Sequence, residues 1–189
     1  MKKFQTRNVI IYLQDLGSSN FLIEAIKDFK WNDNFFFYLI LNKNVIDLKN
    51  RLKKNFNLEK YRLIIIENKN KNFFKNFIIE KKIFFVICTC AQRRLDRSNF
   101  NIIKSSLENN VKTISFLDQW KEEDRFKFFN IYRQLIYIGV LDNNQKKYLR
   151  NVHKYLNVGV VGHPELEKIK KIKRKKNNKI LIVSQPDVK

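Results

Sequence analysis

Asn157-Val-Gly-Val-Val-Gly-His-Pro164, then a lysine-rich run, then Lys179-Ile-Leu-Ile-Val-Ser-Gln-Pro186, is the stretch whose reading decides the fold. A short apolar strand closes in Gly-His-Pro, a charged connector follows, and a fresh apolar strand closes in Ser-Gln-Pro. This order of pieces is that of a chain leaving one α/β domain and entering a second. The expected organisation is therefore an N-terminal α/β domain over residues 1–166, a basic connector over 167–179, and the first strand of a C-terminal domain over 180–189.

Upstream of that junction, short apolar runs alternate with helix-like stretches. The candidate strands are Asn8–Gln14, Phe35–Leu41, Tyr61–Ile66, Ile83–Cys88, Val111–Phe116, Leu135–Gly139, Val158–Val161 and Lys179–Ser184. Their apolar residues are continuous and do not alternate with polar ones, as expected of strands covered on both faces in a parallel sheet. Between them, Phe21, Leu22, Ala25, Ile26 and Phe29 share one helical face, with Ser18 or Ser19 as the expected cap. Val45, Leu48, Leu52 and Phe56 repeat similarly, as do Ile102, Ile103, Ser106 and Leu107 after a cap at Ser98 or Asn99. Strand and helix in this rhythm predict a doubly wound, mostly parallel, Rossmann-like α/β sheet. Ligands of such sheets bind outside the carboxyl ends of the strands, where the strand order reverses.

A chain of 189 residues is enough to remove roughly 70% of its unfolded surface from water. Its hydrophobic fraction of 44% excludes disorder throughout. The 17 phenylalanines are spread over strands, helices and loops alike, which points to a compositional bias and weakens any argument from net charge. That charge is +21, with one dense block: Lys168, Lys170, Lys171, Lys173, Arg174, Lys175, Lys176 and Lys179. The block reads either as solvated surface or as an anion-binding surface for a membrane. RNP-like, KH and helix-turn-helix patterns are missing, which disfavours nucleic acid. Cys88 and Cys90, the two cysteines, form a C-x-C inside an apolar strand, without zinc-ribbon or redox spacing, so two buried thiols and no metal site are expected. The apolar segment Val9–Leu13 is too short for a signal-peptide core, and the longest apolar run, Phe35–Leu41, is seven residues where a spanning helix needs about 20. A cytoplasmic protein, in peripheral contact with the inner face of the membrane at most, is expected.

Candidate chemistry follows the strand ends. In Gln14-Asp-Leu-Gly-Ser-Ser-Asn20, Gly17 permits a tight turn, and Ser18 and Ser19 offer hydroxyls and N–H groups at a helix start that suits an anion. A capped turn explains the same residues. The loop is neither G-x-G-x-x-G nor a P-loop, so no nicotinamide cofactor is expected. In Thr89–Asn99, Arg93, Arg94 and Arg97 crowd a helix start, an arrangement suited to phosphate or carboxylate, with Asp96 as a salt-bridge partner. Beyond the fifth strand stand Asp118 and Trp120, which would frame a sugar or base edge, or else cap the next helix and cover the sheet's rim. Asp142, also just past a strand, is expected to cap a helix. His163, in its Gly-x-Pro turn, is a candidate acid or phosphate ligand, or a structural residue.

"Leu-Asp-Gln-Trp" at 117–120, a strand ending near Asp142, a helix with Leu149 and "Val-Gly-Val-Val-Gly-His-Pro-Glu-Leu-Glu" at 158–167 together resemble the N-terminal domain of a GT-B-fold protein. The resemblance is to the UDP-N-acetylglucosamine 2-epimerase-like and capsule-type glycosyltransferase or glycerophosphotransferase groups. It implies the acceptor-side domain of a nucleotide-sugar-dependent enzyme of surface polysaccharide biosynthesis, inactive alone because the nucleotide is held mainly by a second domain. Its implied partners are a nucleotide-sugar or glycan acceptor and a separately encoded C-terminal domain. Gly17, Ser18, Asp118 and His163 match the cleft side by position, while the catalytic acid and base stay unassigned, with Asp118 and His163 as candidates. The competing expectation is a non-enzymatic basic module that binds nucleic acid or an anionic membrane surface.

Overall fold

Runs of Val, Ile, Leu and Phe offer water no polar face, so a sheet built from them must be covered on both sides. The computed structural model describes residues 6–26, 34–55, 61–67, 70–90, 97–118, 134–154 and 156–164, and here seven such runs become strands. They are β1 (Arg7–Leu13), β2 (Phe35–Asn42), β3 (Tyr61–Ile66), β4 (Ile83–Thr89), β5 (Lys112–Phe116), β6 (Ile136–Val140) and β7 (Asn157–Val160). All pairings are parallel, and the sheet order is β3-β2-β1-β4-β5-β6-β7. The strand expected over Lys179–Ser184, and the connector before it, lie outside the described residues.

Five α-helices join the described strands: α1 (Leu16–Ile26), α2 (Lys49–Asn55), α3 (Lys71–Glu80), α4 (Ser98–Glu108) and α5 (Asn143–Val152). A 3-10 turn over Lys43–Leu48 runs into α2, with its kink at Val45. Right-handed crossovers sort the helices by the direction in which the sheet grows. Growth from β1 to β3 puts α1 and the Val45, Leu48 and Leu52 side chains on one face, packed on Ile11, Leu39 and Ile87. Growth from β4 to β7 puts α3, α4 and α5 on the other, where Phe74, Ile102 and Leu149 pack on Ile10, Val86 and Ile138. The central strand β1 therefore has both faces covered, and Val9 to Leu13 are buried.

Two expected caps are replaced. At α1, Asp15 accepts the Ser18 backbone N–H (3.0 Å) and the Ser18 hydroxyl (2.6 Å), so neither Ser18 nor Ser19 is the cap. At α4, Ser98 lies inside the helix, and the preceding Arg97 makes no side-chain cap. At α4 the acceptor is Gln14, the residue after β1, a partner from outside the segment that local capping rules do not reveal. Asp142, by contrast, caps α5 as expected, accepting the Gln145 N–H at 2.8 Å while Gln145 Oε1 accepts the Leu141 N–H at 2.9 Å. Helix α3, not anticipated from the sequence, is capped by Asn70, whose Oδ1 accepts the Phe73 N–H at 3.1 Å.

Candidate functional site at the carboxyl edge of the sheet

The strand order reverses between β1 and β4, because β1 continues to β2 on one side while the chain returns to place β4 on the other. Their crossovers leave for opposite faces, so a crevice opens at their carboxyl ends. Described residues of two stretches singled out in the sequence meet there: Gln14–Ser19 after β1, and Thr89 and Asn99 on either side of the segment after β4.

The floor of the crevice is a buried polar network. Gln14, fully buried, directs Oε1 to the backbone N–H of Asn99 at 3.0 Å, and Asn99 Nδ2 reaches Thr89 Oγ1 at 3.3 Å. A strand end on one side of the switch point thus satisfies the amino end of the helix on the other. An unpaired amide here would cost about 1–3 kcal/mol, which ties the two loops to one geometry. The roles of Gln14, Asn99 and Thr89 escaped sequence reasoning, since the partners are 85 residues apart. The one available signal was an amide side chain directly after an apolar strand.

Ser18 and Ser19 have no exposed surface, and the Ser18 hydroxyl and N–H are both engaged by the Asp15 carboxylate. That negative group already occupies the start of α1, so these serines do not present the open anion site expected of them. Gly17 and Leu16 are the exposed part of the loop, with Leu16 52% accessible. A Cβ at Gly17 would meet only Asp15 Oδ1, at 3.7 Å, so space does not demand glycine there. Arg97 stands exposed at the start of α4, while Arg93, Arg94, Asp96 and Trp120 lie outside the described residues. Asp118 is half-buried at the end of β5, the neighbour of β4.

His163 follows the far strand β7, yet its ring sits 5.4 Å from that of Phe21 on α1, edge to face at 77°. Phe21 in turn lies 6.2 Å from Phe116, at the end of β5. Gly162 makes this return possible with a φ of 73°, a left-handed conformation that only glycine adopts without strain. His163 Nδ1 is buried without a hydrogen-bond partner among the described residues. Cys88 and Cys90 are buried and not joined in a disulfide, and burial pushes the Cys88 thiol up to about 12, only partly offset by the Ser115 hydroxyl beside it. Among the described residues, no group of His, Cys, Asp and Glu is arranged to hold a metal, and no helix is long and apolar enough to cross a membrane.

A parallel, doubly wound sheet with its crevice at the β1/β4 switch point defines the Rossmann-like class of α/β architecture. Within that class the fold is that of an N-terminal GT-B domain. No protein-family model matches the chain. UDP-GlcNAc 2-epimerase from Neisseria meningitidis, solved bound to UDP-GlcNAc, superposes with a TM-score of 0.57 at 11% identity, over 87% of this chain and 50% of that one. UGT89C1 from Arabidopsis thaliana superposes in its UDP-L-rhamnose complex with a TM-score of 0.53 at 12% identity, over 84% of this chain and 49% of that one. Its quercetin complex gives 0.52 at 11% identity, over 82% and 50%. Among curated sequences, Protein Ycf2 from Physcomitrium patens is 31% identical over 122 residues, which is 64% of this chain and 5% of Ycf2. The chain thus spans about half the length of the solved structures it resembles and a small fraction of that sequence relative. At such identities the structural likeness is one of fold.

Proposed function

We propose that this chain forms the acceptor-side wall of a nucleotide-sugar-dependent enzyme, a GT-B glycosyltransferase or a UDP-sugar 2-epimerase-like protein of surface polysaccharide assembly. The observation that carries the reading is the open β1/β4 crevice in a chain matching half of two proteins, each solved with a UDP-sugar. In this reading the cytoplasmic enzyme is completed by a second domain that closes over the carboxyl edge. Exposed apolar side chains on that edge, Leu16 after β1 and Ile46 after β2, suit a facing surface.

Arg97, with Arg93 and Arg94, supplies cations toward a diphosphate, since the Asn99 N–H at the same helix start is already taken by Gln14. Gly17 lets a ligand approach the backbone of the first loop, and Trp120 offers a flat surface to a sugar. Asp118 and His163 are the acid–base candidates at the rim. Stabilising a charged transition state needs donors from both walls and exclusion of water by closure. One wall by itself gives only a loose phosphate contact.

The test is calorimetric titration of the purified chain with UDP- and CDP-linked sugars, alone and with a candidate second domain. The expected result is affinity no tighter than millimolar for the chain alone, about −4 kcal/mol, and turnover only with the second domain. Micromolar binding by the chain alone, or failure of every second domain to restore binding, overturns the proposal.

A further inference from the structure

The amino edge of the sheet, opposite the crevice, carries an irregular feature. In the parallel pairing of β1 with β4, Asn8 stands opposite Ile83 and Val9 opposite Phe85, so Phe84 is an extra residue, a β-bulge. Ile83 buries in one core cluster and Phe85 packs against the other, which leaves Phe84 in neither. Its ring is 43% exposed, and the Arg7 guanidinium lies over it, 4.5 Å from the centroid. A bulge re-aims a side chain, and this one turns an apolar ring outward beside a cation.

The backbone before the bulge is held in place. Asn8 Nδ2 donates to the Lys81 carbonyl at 2.5 Å, and Lys82 has a φ of 47°, a left-handed conformation usually left to glycine. That turn puts Lys81 and Lys82 just before β4, while Arg7 opens β1 and Lys112 opens β5. The three strands are neighbours at a spacing of about 4.8 Å, so the ring and the four cations share an edge roughly 10 Å across. Arg7, Lys82 and Lys112 are exposed, and Lys81 is half-buried. Of the acids that end α3 and α4, Glu108 is held by Lys71 at 2.5 Å and Glu80 is exposed, which leaves four cations against the Glu80 carboxylate.

We infer that this amino edge is a docking surface for an anionic phospholipid bilayer. Arg7, Lys82 and Lys112 take the lipid phosphates, and Phe84 enters the headgroup region. A guanidinium drawn over a ring by its charge still has N–H groups to donate, and among the described residues no acceptor takes the Arg7 side chain. Phe84 carries no polar side-chain atom, so its burial among lipids adds an apolar gain to the attraction of charge. One ring is too few for single-stranded nucleic acid, which is bound by successive stacking rings along a groove. A uniform excess of lysine explains neither the bulge nor the exposed ring. The edge lies roughly 20 Å from the crevice, the length of β1 at about 3.3 Å per residue, so a bilayer held there leaves the crevice accessible whatever ligand the crevice takes.

Co-sedimentation of the full chain with vesicles tests this, using phosphatidylcholine alone and an equal mixture with phosphatidylglycerol. Binding is expected on the mixed vesicles and not on phosphatidylcholine. Arg7→Gln with Lys112→Gln should weaken it about tenfold, and Phe84→Ser about threefold. Lys147→Gln with Arg150→Gln, which removes two exposed cations of α5, should weaken it about twofold at most. Heparin retention should not follow Phe84→Ser, since heparin offers charge and no apolar interior. Phe84→Trp, which keeps an aromatic ring and guards against loss of fold in the serine variant, should bind like the parent. Its added emission should shift to the blue on mixed vesicles, beyond any change in the parent's own two tryptophans. Equal losses from the edge pair and the α5 pair, or no added blue shift in bound Phe84→Trp, overturn the inference, because diffuse charge then holds the chain. So does Phe84-dependent binding of single-stranded DNA, or Phe84-dependent dimerisation, in a chain that does not bind the mixed vesicles.

Discussion

Gln14 Oε1 accepts the Asn99 backbone N–H at 3.0 Å, joining the end of β1 to the start of α4 across the switch point. Both residues are buried, so water cannot replace the bond. Gln14→Leu, which keeps the bulk and removes the acceptor, is expected to destabilise the chain by about 1–3 kcal/mol. Urea unfolding measures it through a lower midpoint at unchanged slope. An unaltered midpoint would show that the amide finds another partner and that the crevice floor is not fixed this way.

Gly139→Ala should destabilise by about 1–3 kcal/mol, because its methyl group meets the near part of the Phe116 ring and Phe21 packs behind that ring. Gly159→Ala meets chiefly the outer end of Tyr137, which can swing aside, so a smaller loss is expected. A double-mutant cycle of Gly139→Ala with Phe116→Leu checks the cause. The two effects should be clearly non-additive, and additivity would place the cost elsewhere.

The buried Cys88 thiol makes stability depend on alkaline pH. Its ordinary value of 9.0 rises to about 12 in the folded chain through burial. Between those values the unfolded state has lost the proton and the folded state keeps it, so stability must fall as pH rises. The contribution is fully present below pH 9 and declines by up to about 1.4 kcal/mol per pH unit above it. Cys88→Ala should flatten that part of the stability–pH curve, and parallel curves for the two proteins would refute the assignment. Cys88 should also resist alkylation at pH 8 until the chain is unfolded.

The basic block between residues 168 and 179 should hold the chain weakly on heparin or on vesicles containing anionic lipid. Screening shortens the reach of exposed charges to about 8 Å at physiological ionic strength, so retention is expected to collapse as salt rises. Retention unchanged at high salt, or a preference for particular nucleic-acid sequences, would mean that a shaped binding site exists.

The strands were legible because their determinant is local. Ile10, Ile11 and Leu39 have no polar neighbour to turn outward, and a run of that kind is stable only inside a covered parallel sheet. The Asp142 cap was legible for the same reason, its partner Gln145 lying one turn away. Tertiary structure alone decided the order β3-β2-β1-β4-β5-β6-β7 and therefore where the crevice falls. It also decided which groups are spent inside the fold. Gln14 satisfies a helix start 85 residues away, which capping rules cannot reveal, whereas Asp15 stands three residues before Ser18 as Asp142 does before Gln145 and was within their reach. His163 reaches Phe21 because Gly162 turns the chain back over the sheet edge. Burial and spacing of apolar residues are properties of a segment, while the partners of a polar group are set by the path of the whole chain. The sequence by itself therefore determined the class of fold, and the packing of distant loops determined the site.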